Sequence, residues 1–519
     1  MHMTQTQTHN NKELLLKPIP EDQLSLAQKE FRKDLFDEIE VPIFQFSREP
    51  KHLGDPKHFG DLLHIILVWQ PIIWRDNETF LLLYNVSYYR FQMKHRSLYF
   101  TIDDQAYGAI CGKTDEAIAE TATFFWSLDF GGAPLYVQDI FQHGLCAGEV
   151  RGNFDFAAFR PQQLIRILES NPTRTLVLRV GSWSLEQAKI LATRTFPLIL
   201  EIIFGDHGDL GNTANKDEDG TEFFNSLEER RSSFGSLEIG GGFYHSTRMN
   251  RVNFERLTQL DWIIDKLRIY GLDPEIVLLP FSAKVNALSY GVIDSHIQPN
   301  DFEALTIVTN DLDLWFYSQK EDDLSDWLIA FFDRVAQLGH FVRLGISIRS
   351  YERVNDMESC VQALTGAIKS NPNLRYLKVY DFDQRFQHAP HWESLYHTIG
   401  EHKQLRTIIL DDMEVQDTCQ DFYLALERLL SCNRNVTVIK RDGKKITNKT
   451  SIDQLYALNY FFNGSLSLTE ESVELRPVLF AVALEKASAS FQYTGLLLSQ
   501  HTDVLWELVD GTNLEEVPP

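Results

Sequence analysis

One pattern of apolar and polar positions recurs through the middle of the chain. The segments LIRILESNPTRTLVLRV, from Leu164, and LTGAIKSNPNLRYLKVY, from Leu364, each combine an amphipathic helix end, a Ser-Asn-Pro stop and a short apolar strand. Proline cannot continue a helix, so Pro172 and Pro372 mark helix ends. The pattern predicts an alternation of helices and short strands.

A shared template, apolar-x-x-apolar-x-apolar, locates the strands, because its last two apolar residues point inward together. Six segments match it: Phe234-Leu237-Ile239, Ile264-Leu267-Ile269, Phe302-Leu305-Ile307, Phe341-Leu344-Ile346, Leu374-Leu377-Val379 and Leu405-Ile408-Leu410. Three looser matches are Leu176-Leu178, Leu200-Ile202 and Val436-Val438. Matches recur at intervals of roughly 24 to 39 residues with helical patterns between several of them, which predicts a solenoid of strand–helix units.

Over residues 161–445 this pattern resembles leucine-rich-repeat proteins of the ribonuclease-inhibitor-like type, and it is similar to leucine-rich-repeat-like proteins of microalgae. The resemblance implies an α/β fold: a horseshoe-shaped solenoid with a parallel sheet on its concave face, helices outside, and N- and C-terminal caps. Asn310, three residues beyond Ile307, matches the asparagine position of that family.

The regions on either side of the repeats are interpreted as caps, because a stack of strand–helix units leaves two open ends. We expect a disordered N-terminus over residues 1–20, an N-terminal capping region over 21–160, the solenoid over 161–445 and a cap of three helices over 446–512. A polar, acidic loop over 205–220 is expected to be mobile.

The stretch GAICGKT, Gly108–Thr114, is similar in outline to a nucleotide-binding phosphate loop. Such a loop needs four residues between its first glycine and the Gly-Lys pair, whereas here only Ala109, Ile110 and Cys111 intervene. The pattern therefore favours Thr114 as the N-cap of a helix, with acidic residues in the first turn.

Two further clusters partly resemble metal sites. Asn215, Asp217 and Asp219 match the first half of a calcium loop, but Ser226 stands where the bidentate glutamate is needed, which favours a solvated acidic loop. Four histidines lie close together without the four-residue spacing that places two ligands on one helix face: His388, His391, His397 and His402. With no complete catalytic motif, the sequence predicts no enzyme, no cofactor and no metal site.

Composition limits the classes of binding partner and the cellular compartments that we expect for this chain. The chain has 49 basic and 73 acidic residues and a formal charge of −24, which disfavours nucleic acid and anionic membranes as partners. Five cysteines without zinc-ligand spacing indicate core thiols in a reducing compartment, and the polar N-terminus lacks the apolar core of a signal peptide. We expect an intracellular monomer, in the cytoplasm or nucleus.

Candidate binding residues are those that the template turns away from the core, where solenoids bind partners. They are Arg179, Glu201, Glu238, Lys266, Arg268, Tyr270, Arg343, Tyr376, Lys378, Tyr380 and Asp411. Basic residues outnumber acidic ones in this set, and arginine and tyrosine are enriched at binding hot spots. We therefore predict a binding strip for an acidic or phosphorylated protein segment, formed by Lys266, Arg268, Tyr270, Arg343, Tyr376, Lys378 and Tyr380. The alternative is that these residues serve only solubility and cross-strand packing.

The favoured function is a non-enzymatic protein–protein interaction scaffold. An alternative is the substrate receptor of a ubiquitin ligase, since KPIPEDQLSLAQKEF, from Lys17, faintly resembles the opening of an F-box. An NTPase that uses the short glycine loop is the least favoured of the three.

Overall fold

The computed structural model divides the chain into two compact units, Met1–Asn286 and Ala287–Pro519. The residues that it describes are 16–35, 42–46, 72–84, 96–102, 106–127, 135–138, 154–170, 172, 176–180, 183–202, 217, 219–240, 250–293, 296–317, 324–349, 355–380, 389–410, 420–472 and 475–510.

The first unit contains strands β1–β11 and helices α1–α6. Its strands are β1 (Leu16–Pro18), β2 (Ile43–Phe46), β3 (Ile72–Arg75), β4 (Thr79–Tyr84), β5 (Arg96–Ile102), β6 (Ala106–Gly112), β7 (Leu135–Gln138), β8 (Leu176–Val180), β9 (Leu198–Ile202), β10 (Gly235–Ile239) and β11 (Ile264–Tyr270). Its helices are α1 (Leu26–Leu35), α2 (Asp115–Trp126), α3 (Pro161–Ser170), α4 (Leu185–Thr193), α5 (Thr221–Glu228) and α6 (Arg251–Gln259).

Strand direction changes partway through the first unit. Antiparallel pairing joins β1 to β2, β3 to β4, β4 to β6, β6 to β5 and β5 to β7, whereas β2 and β3 are parallel. From β7 to β11 each strand pairs in parallel with the next. The early strands enclose an apolar cluster that includes Phe31, Ile72 and Phe80. In its described residues, the region expected to cap the repeats is therefore mainly a mixed sheet, with α1 between β1 and β2 in sequence and α2 between β6 and β7.

The second unit is a regular alternation of strands and helices followed by a group of helices. Its strands are β12 (Ala287–Ile293), β13 (Asp311–Tyr317), β14 (Arg343–Arg349), β15 (Tyr376–Tyr380), β16 (Thr407–Leu410) and β17 (Thr437–Ile439). Its helices are α7 (Ser325–Leu338), α8 (Met357–Ser370), α9 (Ala389–Glu401), α10 (Gln420–Cys432), α11 (Ser451–Ser467), α12 (Arg476–Ala487), α13 (Phe491–Gln500) and α14 (Thr502–Asp510). Strands β12 to β17 pair in parallel in chain order.

The inward apolar positions of the template explain this register. Leu344, Leu377, Ile408 and Val438 lie side by side on four successive strands, and each is at most 1% exposed. Burying one such row of aliphatic side chains supplies the main force that aligns neighbouring strands. All but one of the matched segments lie in a strand or end in one.

The exception is the segment Phe302-Leu305-Ile307. Its three side chains are buried, but Pro299–Phe302 form a 3-10 turn and the strand begins later, at Asp311. A turn that packs on the core produces the same apolar spacing as a strand, so the template placed β13 too early. It also missed β12.

Buried or half-buried polar side chains join successive strand–helix repeats of the second unit at the ends of the helices. His340 Nε2 lies 3.1 Å from the Thr309 carbonyl oxygen, and His402 Nε2 lies 3.0 Å from the Asn371 carbonyl oxygen. Asn433 Nδ2 donates to the His402 carbonyl oxygen at 2.9 Å. Each of these hydrogen bonds joins residues 31 positions apart, so in these repeats a polar side chain contacts the backbone of the preceding repeat.

Asn371 shows how these turns are fixed. It is 1% exposed, its Nδ2 donates to the Val335 and Ala367 carbonyl oxygens, and its Oδ1 accepts from Phe341 N. The residue that matched the family asparagine, Asn310, is instead exposed. The assignment of Asn310 to the asparagine position of that family is therefore wrong, and the polar links lie in the helix-to-strand turns.

Two boundary predictions need correction. Leu16–Pro18 form a strand within the segment expected to be disordered, because they find a distant antiparallel partner in Ile43–Phe46 that local composition does not reveal. Residues 1–15 lie outside the described residues. The C-terminal region has four helices where three were expected, since the last pattern breaks at His501 between Phe491–Gln500 and Thr502–Asp510.

Candidate binding surface

The outward side chains at the start of β13–β15 form a charged and aromatic row in the second unit. Asp311, Arg343 and Tyr376 are in register on neighbouring strands. Arg343 Nε lies 3.0 Å from Asp311 Oδ2, and Arg343 Cζ lies 4.0 Å from the centre of the Tyr376 ring. Burial raises the pKa of the Tyr376 phenol, and the Arg343 guanidinium opposes that rise. The guanidinium is thus held on two sides.

The next outward row contains an ion pair that crosses a strand. Lys378 Nζ donates to both carboxylate oxygens of Asp313, at 3.0 and 2.8 Å, over Gly345 of the intervening strand. A Cβ at Gly345 would collide with Asp313 Oδ1 and would lie 3.3 Å from Lys378 Cδ. The glycine is therefore needed for this pair to form.

Aromatic rings flank the same ammonium group. Lys378 Nζ lies 5.5 Å from the Trp315 ring centre and 4.9 Å from the Tyr380 ring centre. The Tyr380 ring also contacts a second cation, since Arg441 Cζ lies 5.6 Å from its centre. Tyr380 and Ser347, which is in register with it, are 7% and 2% exposed, so this part of the face is closely packed. We call Asp311, Asp313, Trp315, Arg343, Tyr376, Lys378 and Tyr380 the second-unit patch.

A corresponding row crosses the parallel strands of the first unit. Glu201, Glu238 and Arg268 are in register on β9, β10 and β11, and Arg268 Nη1 lies 3.2 Å from Glu238 Oε2. Burial, reinforced by the Glu238 carboxylate, raises the pKa of the Tyr270 phenol. Lys266 is exposed and pairs in register with Ser236. We call Glu201, Glu238, Lys266, Arg268 and Tyr270 the first-unit patch.

These geometries change the electrostatic picture drawn from the sequence. Arg268, Arg343 and Lys378 each have a carboxylate partner on a neighbouring or next-nearest strand. The patches are therefore close to charge balance instead of strongly basic. Asp311 and Asp313 were missed because β13 was placed too early; the alternation DLDLWFY, which starts at Asp311, is the signal that could have located them. Trp315 was missed for the same reason.

For two of the predicted outward residues, the structure describes no side-chain contacts. Arg179 is in backbone register with Glu201, and its side chain lies outside the described residues, as does Asp411 altogether. The predicted strip is thus described as two patches, each within one unit.

Comparisons with known proteins add little to this description. No protein-family model and no curated protein matches the chain. Among solved structures it is similar to the leucine-rich repeat-containing protein LegL7 from Legionella pneumophila, at 13% identity and a TM-score of 0.33, over 58% of this chain and 87% of that one. A superposition with so low a TM-score does not establish a shared fold. The strand–helix architecture rests on the elements of each unit, and the similarity to microalgal proteins stays a prediction.

The glycine loop of the first unit is not a phosphate loop. Gly108 and Gly112 lie in β6, which pairs antiparallel with both β4 and β5, and a Cβ at Gly108 would collide with the Phe100 ring. The strand uses its backbone groups for sheet pairing, so they cannot converge on a phosphate. Ala117 N donates to Thr114 Oγ1 at 3.3 Å, which confirms Thr114 as the N-cap of α2.

The half calcium loop also has a structural role. Asp217 is 3% exposed and accepts hydrogen bonds from Glu222 N and Phe223 N, both at 2.9 Å. Asp219 Oδ1 accepts from Thr221 N at 3.0 Å. The prediction of a solvated loop is wrong for Asp217, because its carboxylate is buried at the amino end of α5, where burial raises its pKa.

The remaining candidate sites have structural contacts or exposed positions. His402 accepts from Leu405 N through Nδ1, whereas His397 is exposed beside Glu401. The side chains of His388 and His391 lie outside the described residues. Across the described part of the chain, no group of three His, Cys, Asp or Glu side chains could hold a metal ion.

Three cysteines fall among the described residues. Cys111 and Cys360 are buried, and burial raises the pKa of the Cys111 thiol to about 12. Cys432 is exposed, so the expectation that all five are core thiols is wrong for that residue. It stands at the C-terminal end of α10, where the apolar pattern has ended.

The N-terminal region bears on the F-box alternative. The helix Leu26–Leu35 lies in sequence between two strands that pair with each other, Leu16–Pro18 and Ile43–Phe46. A strand–helix–strand arrangement differs from the run of apolar helices that an F-box requires. Separately, none of the described helices is long and apolar enough to cross a membrane.

Proposed function

We propose that this chain is a non-enzymatic protein–protein interaction scaffold that holds a segment of a partner on the outward face of its parallel strands. In this proposal the strand–helix units form a leucine-rich-repeat-like horseshoe, closed by caps, whose concave face carries the two patches. The binding residues are Lys266, Arg268 and Tyr270 of the first-unit patch, and Arg343, Tyr376, Lys378 and Tyr380 of the second.

The observation that carries the proposal is the fixed geometry of the second-unit patch. Arg343 is held by Asp311 and stacked on Tyr376, while Lys378 is held by Asp313 between two rings. Side chains that are already ordered lose little conformational entropy on binding, and Tyr, Trp and Arg are the residues that dominate binding energies. Such a face offers contact area, ring edges and charge at low entropic cost.

The partner in this proposal is a protein segment with acidic or phosphorylated side chains. Lys266 and Arg343 suit such groups best, because the Lys266 side chain is exposed and the Arg343 side chain is 48% exposed. The guanidinium of Arg343 uses Nε for Asp311, and its Nη1 and Nη2 groups make no hydrogen bond to any described residue. A planar guanidinium in this state is suited to bidentate contact with a carboxylate or phosphate.

Affinity purification from native lysate with quantitative mass spectrometry tests the proposal. The face variant is Lys266→Gln/Arg343→Gln/Tyr376→Ser. A matched control, Arg166→Gln/Lys486→Gln, removes one exposed cation from a helix of each unit. We expect a partner that wild type and the control retain equally and the face variant loses, with circular dichroism showing that all three chains are folded. Equal retention by the face variant would contradict the proposal.

A further inference from the structure

The helix-to-strand turns of the second unit carry cations that the outward face does not include. These turns span residues 369–376, 401–407 and 432–437, and in sequence they contain one acidic residue, Glu401. Their basic residues, which we call the basic edge, are Lys369, Arg375, Lys403, Arg406 and Arg434. All are exposed except the half-buried Arg434, which packs over the Phe462 ring at 4.3 Å.

The basic edge differs from the patches in that its cations are not paired with described carboxylates. Within the described parts of the chain, none of its five cations forms an ion pair. Glu401 lies 3.7 Å from His397 instead. In a protein with a formal charge of −24, this is a local excess of positive charge on one edge of a sheet.

Two of these cations are immediate neighbours across the sheet. Tyr376 and Thr407 are in register, and one residue earlier the backbones of Arg375 and Arg406 are adjacent, since Arg406 N donates to the Arg375 carbonyl oxygen at 2.9 Å. Adjacent strands lie about 4.8 Å apart, and like charges directly opposite each other are destabilising. Folding alone does not favour this pair, which indicates a role in binding an anion.

The negative ends of the neighbouring helices neutralise only part of the positive charge of the basic edge. The helices α8, α9 and α10 end at these turns, and each C-terminus carries roughly half a negative charge, or about −1.5 in all. With the Glu401 carboxylate the negative charge is about −2.5, which is still less than the five full positive charges. Arg406 Nη1 does donate to the Lys403 and Leu405 carbonyl oxygens, at 2.8 and 3.1 Å. Arg375 has no such contact with a described residue, so an excess of positive charge remains at the edge.

We infer that the basic edge is the docking site for an acidic segment of a partner protein, with Arg375 and Arg406 as its central contacts. The inference rests on the proposed scaffold function and adds to the outward face a second surface that contacts the negative charge of its partner. Charge complementarity selects this occupant, because the edge is unneutralised whereas the cations of the outward face are largely paired.

Fluorescence anisotropy with a labelled poly-glutamate peptide tests the inference. We expect wild type to bind the peptide with an affinity that falls as salt is added, and Arg375→Gln/Arg406→Gln to bind about tenfold more weakly. The charge-conserving variant Arg375→Lys/Arg406→Lys should keep most of the affinity. The control Arg166→Gln/Lys486→Gln should bind as wild type does.

Three results would overturn the inference. They are a wild-type chain that does not bind the peptide, an Arg375→Gln/Arg406→Gln chain that binds it as wild type does, and a single-stranded DNA that binds to the edge as tightly as the peptide. None of these results contradicts the proposed function, which fails only if the face variant keeps its partner in the affinity purification. A thermal melt of each variant separates loss of binding from loss of folding.

Discussion

Two sets of cations in the second unit are placed differently. On the outward face, Arg343 and Lys378 are each held by an aspartate of β13 and by aromatic rings. On the basic edge, Arg375 and Arg406 stand side by side without a described carboxylate partner. Paired cations add order to the face, and unpaired ones add charge at a cost in stability. The difference indicates that a basic residue in a sequence reveals its role only when its neighbours across the sheet are known.

The largest expected effect concerns the turns that support the edge. Replacing Asn371 with alanine removes three buried hydrogen bonds and leaves the Val335 and Ala367 carbonyl oxygens and the Phe341 N–H without that partner. We expect the free energy of unfolding to fall by about 3 kcal/mol, measured by chemical denaturation. Asn373→Ala, at an exposed position of the same turn, is the control and should change stability little. Equal effects would contradict the structural role of Asn371.

The second largest effect is expected from disrupting the ion pair between Asp313 and Lys378 on the outward face. Gly345→Ala places a methyl group against Asp313 and must displace the ion pair with Lys378, so we expect a loss of about 1 to 2 kcal/mol in unfolding free energy. Gly366→Ala is the matched control, because a Cβ there meets no atom within 4 Å and the residue lies inside α8. That control should be neutral or stabilising by up to about 1 kcal/mol. A tolerated alanine at Gly345 would show that the pair is not held across the strand.

A smaller loss is expected from the exposed side of the face. Arg343→Gln removes the ion pair with Asp311 and the stacking on Tyr376, and we expect about 0.5 to 1 kcal/mol because the arginine side chain is 48% exposed. Lys266→Gln, at an exposed lysine of the first-unit patch, should leave stability unchanged. Denaturation curves with the same slope for both variants would allow the comparison.

The smallest effect has the opposite sign. Arg375→Gln relieves the repulsion with Arg406, so we expect a slightly higher melting temperature at low salt and no difference from wild type at high salt. Arg166→Gln, on an exposed helix face, is the control. A lower melting temperature for Arg375→Gln would mean that a stabilising contact of Arg375 is lost, which would contradict the view that this arginine repels Arg406.

The sequence could predict the repeat because its physical cause is local. Inward aliphatic residues such as Leu344, Leu377 and Ile408 recur in a fixed pattern, and Pro372 stops a helix wherever the chain folds. The template wrongly predicted a strand at Phe302, because buried residues of a turn can have the same apolar spacing as those of a strand. The apolar pattern reports which residues are buried, and it is less informative about the backbone that buries them.

The charge balance of the candidate site could not be predicted in the same way. Lys378 and Asp313 are 65 residues apart, and their contact depends on the register of three strands and on a glycine between them. The antiparallel pairing of Leu16–Pro18 with Ile43–Phe46 is likewise a property of tertiary contacts. Counting the outward residues identified Arg343 and Lys378, but it could not find Asp311 and Asp313, the aspartates that pair with them.

The most direct test of the scaffold claim compares four chains in one quantitative affinity purification: wild type, the face variant, Arg375→Gln/Arg406→Gln and the helix-cation control Arg166→Gln/Lys486→Gln. We predict a protein partner that wild type and the control retain, that the face variant loses, and that the edge variant retains weakly and loses first as salt is raised. A partner retained equally by all four chains would contradict the claim that these parallel strands and their turns form the binding surface.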